Sequence, residues 1–322
     1  MNYNFKDKRI LVTGATGLIG KSLVNRLLDE GAFVIAQIRN IDKAQRVFDE
    51  DDRLSFIECD IRDFSIDNLG IDYIIHAASN TSSKAFIEAP VEVIDINING
   101  TKAVLEFARI NKIKGMVYLS TMEVYGAPTT DEKINESHST NLDSMSVRSS
   151  YPESKRMCET LCSSYASQFN VPVKVLRLTQ VFGQGVEYND NRVFAEFARC
   201  VIENRDILLH TKGETKRNYL SVNDAVDAVL TVLLKGNVGE AYNASNEDTY
   251  CSIYDMASLV ADKCANGRIS VIIDEDDVNR GYAPTLKMNL DSSKLRSLGW
   301  EPRIGLEDMF NTMINDMIRR KD

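Results

Sequence analysis

Histidine is scarce in this chain of 322 residues: His76, His138 and His210 are widely spaced and belong to no H-E-x-x-H or H-x-x-E-H arrangement, so no zinc-hydrolase pattern is present. Six cysteines (Cys59, Cys158, Cys162, Cys200, Cys251 and Cys264) are scattered without a C-x-x-C pair. That spacing argues against a zinc ribbon, a redox disulfide or a disulfide-stapled fold, and Cys158 and Cys162 read as small buried apolar side chains. No metal site is expected. Long apolar runs are missing too. Near the start only Ile10, Leu11 and Val12 run together, too few for the apolar region of a secretory signal. Nothing further on approaches the roughly 18 to 20 apolar residues of a membrane span, so a cytoplasmic location without a membrane partner is expected. Basic residues are outnumbered, 38 Lys+Arg against 47 Asp+Glu for a net charge of −9. A general nucleic-acid binder needs the opposite balance to displace counterions from phosphate.

What is present is an ordinary globular composition, 43% apolar and 26% charged, long enough for one large or two modest domains. Short β-branched runs at Arg9–Thr13, Phe33–Ile38, Leu54–Glu58, Tyr73–His76, 116–120 and Val173–Leu178 alternate with helical patterns, the clearest over 91–110 and 152–169. Near-continuous apolar strands suit a parallel sheet buried on both faces, and the βαβ succession predicts a doubly wound α/β domain with ligands at the carboxyl ends of its strands. Beyond about residue 180 the regularity weakens. Residues 183–191 look like a loop, helices are expected over 192–204, 253–264 and 306–318, and Ser221 and Asp224 resemble a capping box for a helix reaching about Leu234. Short strands are expected at Ile207–Leu209, Ala241–Ala244 and 269–273. The resulting division is a dinucleotide-binding domain over 1–180 and a smaller C-terminal α/β substrate-binding lobe over 181–322, with some segments returning to the main domain. The longest polar irregular stretch is 129–150.

Two motifs carry chemistry. Gly14, Ala15, Thr16, Gly17, Leu18, Ile19 and Gly20 follow the first strand and open a helix. Gly14 and Gly17 allow a tight turn and close approach of a pyrophosphate, Gly20 allows close helix-to-strand contact, and the helix N-terminus offers free N–H groups to phosphate. Tyr151 and Lys155 lie one turn apart on a helix that Pro152 would start. A neighbouring ammonium stabilises phenolate, so Lys155 is expected to lower the Tyr151 pKa toward that of a general base. Thr121, leaving the fifth strand at its carboxyl end, can hydrogen-bond the same substrate hydroxyl.

The G-x-x-G-x-x-G spacing together with Tyr151, Pro152, Glu153, Ser154 and Lys155 resembles the extended short-chain dehydrogenase/reductases, the group of nucleotide-sugar epimerases, dehydratases and decarboxylases. The likeness runs nearly the whole length. It continues in order through Asp60 to Asp63, His76 with Ala77 and Ala78, Asn97 to Thr101, Ser120 to Gly126, Leu176 to Gly183, Arg217 to Tyr219 and Leu298 to Pro302. It implies a Rossmann-type fold, a retained nicotinamide cofactor and a nucleotide-diphosphate sugar as substrate. It also implies a catalytic set of Thr121, Tyr151 and Lys155, with Lys155 holding the nicotinamide ribose. Cofactor contacts would come from Gly14, Thr16, Gly17, Leu18, Ile19, Gly20, Asp60, Ile61, Ala77 and Ala78.

Glu123 separates the members of this group. Removing the C5 proton after oxidation at C4 needs a carboxylate base, and the resemblance implies 4,6-dehydration with Glu123 in that role. Dehydratases of the thymidine-diphosphate-glucose type have Thr-Asp-Glu, whereas this chain has Thr121, Met122 and Glu123. Met122 cannot protonate a departing C6 hydroxyl, which leaves Glu123 itself or a water. The alternatives are a 4-epimerase, a glucuronate decarboxylase needing a cation near C6, and a non-catalytic cofactor-sensing regulator. The acid expected after the second strand is replaced by Ile38, Arg39 and Asn40, and Arg39 could pair with a 2′-phosphate, which puts NADP ahead of NAD. By resemblance, Arg217 and Arg280 would clamp the diphosphate, and Met122 and Gln180 would border the sugar. A homodimer through the helices at 91–110 and 152–169 is implied in the same way.

Overall fold

The computed structural model describes residues 3–65, 69–275 and 285–320. Six strands follow one another with helical crossovers: β1 (Arg9–Thr13), β2 (Phe33–Ile38), β3 (Leu54–Glu58), β4 (Tyr73–His76), β5 (Gly115–Thr121) and β6 (Val173–Leu178). Beyond them come β7 (Gln180–Phe182), β8 (Ile207–Leu209), β9 (Lys216–Ser221) and β10 (Ala241–Ala244). The last of these turns back to pair with β6, giving a seven-stranded sheet in the order β10-β6-β5-β4-β1-β2-β3. Every pairing in it is parallel. Chain order reverses between β1 and β4, and at such a switch point the loops diverge and leave a crevice.

The crossovers are α1 (Leu18–Asp29), α2 (Ile41–Val47), α3 (Ala85–Glu88), α4 (Pro90–Asn111) and α5 (Ser150–Phe169). Pro90 fits the first position of α4, where no N–H is needed. Two helix ends close on left-handed residues, Lys112 after α4 and Asn170 after α5. The helix expected from Pro152 starts two residues earlier, so Pro152 is its third residue.

In the second half, α6 (Val193–Glu203) precedes β8, and α7 (Val222–Lys235) starts at a Ser221 side chain that accepts from the Asp224 N–H. Strand β11 (Asn246–Ser252) pairs with β9, as do β7 and the short β13 (Lys287–Met288). The helix expected over 253–264 is α8 (Ile253–Leu259) followed by a wider π turn, Val260–Cys264. The strand expected over 269–273 shortens to β12 (Val271–Ile273), paired with β8. Two further helices, α9 (Ser293–Arg296) and α10 (Leu306–Arg319), end the described chain.

The core has a cluster on each face of the large sheet and a third in the smaller lobe. Residues of α7 and Trp300 belong to the first, with α1 and β1. Among the described residues no helix is long and apolar enough to cross a membrane.

Candidate active site

At the carboxyl end of β1 the chain turns at Gly14, whose φ is +66°. A Cβ there would lie 2.8 Å from backbone atoms of Ala78, and one on Gly20 would lie 2.3 Å from the Gly14 carbonyl oxygen. The loop is thus wedged between the end of β4 and the first turn of α1, and neither position has room for a side chain. Gly17 is exposed at the N-cap of α1 and no side chain caps that end. The first N–H groups of α1 thus have no side-chain cap, the arrangement a diphosphate at a helix N-terminus needs.

Buried polar side chains hold this loop in place. Thr13 Oγ1 lies 2.7 Å from His76 Nδ1 and accepts from the Ala78 N–H at 3.2 Å. His76 Nε2 is 3.2 Å from Thr101 Oγ1 on α4. Burial pulls the His76 pKa down to about 3, with the Lys155 charge a lesser cause, so the ring is neutral and serves as a spacer. Gln37, buried in β2, accepts from the Gly14 N–H at 3.1 Å and donates to the Cys59 carbonyl at 2.8 Å. Nothing in the spacing of the chain points to Gln37.

Arg39 is exposed just beyond β2. Asp60 caps the turn Ile61–Asp63 by accepting the Arg62 backbone N–H at 2.9 Å and takes two more hydrogen bonds from the Arg62 guanidinium, at 2.9 and 2.7 Å, which hold its carboxyl at about 2. The Ile61 side chain is buried against α4, so the surface it offers a ligand is backbone.

Thr121 ends β5, and its hydroxyl accepts the Glu123 N–H at 3.2 Å in a short 3-10 turn, Met122–Tyr125. That turn aims Glu123 back toward the start of α5. The side chains of Thr121 and Ser79 lie close enough to the buried Tyr151 hydroxyl to favour its ionised form, against the effect of burial. Ser79 donates to Asn97 at 2.8 Å and Asn97 to Ser154 at 2.9 Å, a polar chain that underpins the tyrosine. Burial raises the Tyr151 pKa first, and the negative charge of Glu123 raises it further.

Lys155 departs from expectation. Its ammonium donates to the Leu119 carbonyl at 2.6 Å and lies 4.3 Å from the centre of the Tyr118 ring. The largest influences on Tyr151 are burial and the Glu123 charge, both of which raise its pKa, so the expected lowering of the tyrosine is corrected. The side chain is long enough to reach the β5 backbone, and burial there lowers its own pKa to about 8.

A group not anticipated joins Glu123. Arg148, in the turn Val147–Ser149, donates from Nη2 to Glu123 Oε2 at 2.9 Å. Its guanidinium carbon lies 4.7 Å from the centre of the Phe86 ring, and Phe86 stacks on Tyr151 with ring centres 4.3 Å apart and planes 9° apart.

Arg217 of β9 and Gln180 of the paired β7 are joined by a 3.1 Å hydrogen bond. Arg217 Nε is buried with no hydrogen-bond partner among the described residues. Met122 turns the other way, into an apolar cluster with Val124, Ile134 and Leu290, and its sulfur accepts from Thr179 at 3.5 Å. Arg280 lies outside the described residues.

The sequence model of the NAD dependent epimerase/dehydratase family matches residues 10–245. The chain belongs to this family. Relatives include UDP-glucuronic acid decarboxylase 1 of Xenopus tropicalis, 28% identical over 96% of this chain and 72% of that protein. The human dTDP-D-glucose 4,6-dehydratase is 27% identical over 92% and 86%. Among solved structures, a UDP-glucose 4-epimerase from Thermotoga maritima with UDP-glucose has a TM-score of 0.84 at 22% identity, over 98% of this chain and 100% of that one. A dTDP-glucose 4,6-dehydratase from Bacillus anthracis in complex with NAD has a TM-score of 0.81 at 20% identity, over 98% and 97%.

Within this epimerase/dehydratase frame, β1, β4 and β5 bring the glycine loop, Ala77, Ala78, Thr121 and Tyr151 to one end of the large sheet. Ser79, Gln37, Phe86 and Arg148 escape a reading of the sequence. Only the three-residue interval from Arg148 to Tyr151 hints at the last of them, and it falls in the polar stretch 129–150, where no periodicity helps.

Proposed function

We propose that this chain carries out 4,6-dehydration of a nucleotide-diphosphate sugar through a 4-keto intermediate. The observation that supports this reading best is the Glu123 carboxylate, close enough to Tyr151 for its charge to raise the tyrosine pKa. A phenol for the C4 hydroxyl and a carboxylate for the adjacent C5 proton thus lie near one another. Tyr151, oriented by Thr121, takes the C4 hydroxyl proton. A nicotinamide dinucleotide held by the glycine loop, Gly14 to Gly20, would supply the acceptor for the C4 hydride and the donor of the hydride at C6. The C4 ketone acidifies C5, Glu123 removes that proton and, with Met122 buried and aprotic, passes it to the departing C6 hydroxyl, which leaves as water; when C6 of the resulting alkene is reduced, C5 regains a proton, balancing the one Tyr151 took from the C4 hydroxyl. The overall change is loss of water without net redox, which makes the enzyme a lyase. Arg217 and Arg280 bind the diphosphate end, and Gln180 borders the sugar beside it. The exposed Arg39 favours the 2′-phosphate of NADP, although related structures were solved with NAD. The exposed Val91, Ile94 and Met157 on α4 and α5 suit a homodimer built on these helices.

A second reading is favoured by Arg148. A guanidinium next to the base would draw the C6 carboxylate of a nucleotide-diphosphate uronic acid, and the same 4-keto intermediate would then lose carbon dioxide. Purified protein incubated with a panel of nucleotide-diphosphate hexoses and hexuronates, with products weighed by mass spectrometry, separates the two. Loss of water is expected, and Glu123→Gln should abolish it while C4 oxidation persists. Loss of carbon dioxide would favour the second reading, and unchanged mass with inverted C4 would overturn both. The nucleotide released on denaturation identifies NADP or NAD.

A further inference from the structure

We propose that Arg148 is a positioning residue for the C5 proton transfer, its guanidinium laid on Phe86 and holding the Glu123 carboxylate in register with Tyr151. This rests on the reading of Glu123 as the C5 base.

The two groups that act on neighbouring sugar carbons come from different elements, Glu123 from the turn after β5 and Tyr151 from the first turn of α5. Their alignment therefore needs a common reference, which the stack supplies. Phe86 packs flat on Tyr151, with ring centres 4.3 Å apart. Ser150, the residue before Tyr151, donates to the Phe86 carbonyl at 3.0 Å and ties α3 to the start of α5. Arg148 lies over Phe86 at 4.7 Å, so guanidinium, Phe86 ring and Tyr151 ring form one contiguous group. From that group the single arginine hydrogen bond, 2.9 Å to Oε2, reaches across to the carboxylate. Among the described residues no donor meets Glu123 Oε1, which leaves that oxygen for the proton.

The alternative role, holding the fold together, is weak. The side chains of Arg148 and Glu123 keep 38% and 32% of their exposure, and pairs this open to water add little to stability. Lysine would keep the charge but not the flat face that stacks on the ring.

Arg148→Ala, Arg148→Lys and Glu123→Gln should be compared with the unaltered protein on a nucleotide-diphosphate sugar that it turns over. Product formation, solvent deuterium uptake at C5, absorbance of reduced nicotinamide and thermal unfolding are followed together. For Arg148→Ala we expect kcat to fall roughly 100-fold with KM unchanged, the cost of a small misplacement of a reacting group. Deuterium uptake should fall in parallel, reduced nicotinamide should accumulate because C4 oxidation continues, and the melting temperature should stay the same. Arg148→Lys should recover part of the rate. Full kcat in Arg148→Ala overturns the proposal, and so does a raised KM with unchanged kcat, which would make Arg148 a substrate-binding group. Full turnover by Glu123→Gln is a separate failure, that of the base assignment itself, and it is read from a different variant.

Discussion

The Lys155 ammonium is enclosed between the Leu119 carbonyl and the Tyr118 ring. Burial penalises its charged form and lowers its pKa from 10.5 to about 8. The sign follows directly. The charged form holds below about 8 and is lost above it, so any work done by the charge fades as pH rises through that value. We expect kcat/KM to fall above pH about 8, whereas Lys155→Met should be uniformly weak and lack that limb; a flat profile in the unaltered protein would remove the charge from the mechanism. The same depression links to stability. Between about 8 and 10.5 the unfolded chain binds the extra proton, so the Lys155 contribution to stability is present above 10.5 and is lost as pH falls through about 8. Tyr151→Phe, which keeps the stack on Phe86 but loses the hydroxyl, should lower turnover by at least roughly 100-fold while cofactor binding, followed by fluorescence, is retained. The identities of Thr121, Glu123, Tyr151 and Lys155 stand out in the chain because a tyrosine and a lysine one turn apart, after a strand ending in threonine, form an uncommon pattern. The direction of the Lys155 side chain does not, since it depends on how closely β5 approaches α5.

Among the elements, the loop between β1 and α1 shows how spacing becomes geometry. Gly20 lets the helix rest on the Gly14 carbonyl, and a methyl group would have to sit 2.3 Å from that oxygen. Gly20→Ala should therefore push α1 off the loop, cost about 1–3 kcal/mol by overpacking and weaken cofactor binding, as thermal unfolding and dinucleotide titration would show. Gly17→Ala is the control: its Cβ would meet the Gly14 oxygen at 3.3 Å, so its effect on stability should be smaller. Five of the first six strands have the bounds their apolar runs suggest, and β5 is one residue longer at each end. Continuous β-branched runs between helical patterns have no competing structure. The exceptions are local: the π turn Val260–Cys264 has the same apolar spacing as an ordinary helix end, and β7 and β13 have three and two residues, too few for any period to show.

At the scale of the whole molecule, the C-terminal part is bound to the large sheet through Asp224. This buried carboxylate accepts from Ser221 Oγ at 2.8 Å and from the N–H groups of Arg303 and Ile304, each at 3.1 Å. The Asp224 carbonyl accepts from the fully buried Trp300 at 3.1 Å. Asp224→Ala would strand these donors and should cost about 3 kcal/mol, read as a lower midpoint in urea unfolding. The net charge of −9 opposes anionic ligands at a distance, so in the function we propose their binding would fall to local groups, the N-terminus of α1 and Arg217 above all. Periodicity and spacing alone settle the alternation of strands and helices, the glycine loop and the residue types able to move protons, because each is written within a few neighbouring positions. The strand order, the return of β10 and α7 to the large sheet, the turn of Lys155 toward Leu119 and the stack of Arg148, Phe86 and Tyr151 came from the tertiary structure. Each of these depends on contacts between distant parts of the chain, and close packing between such parts leaves no local trace in the order of the residues.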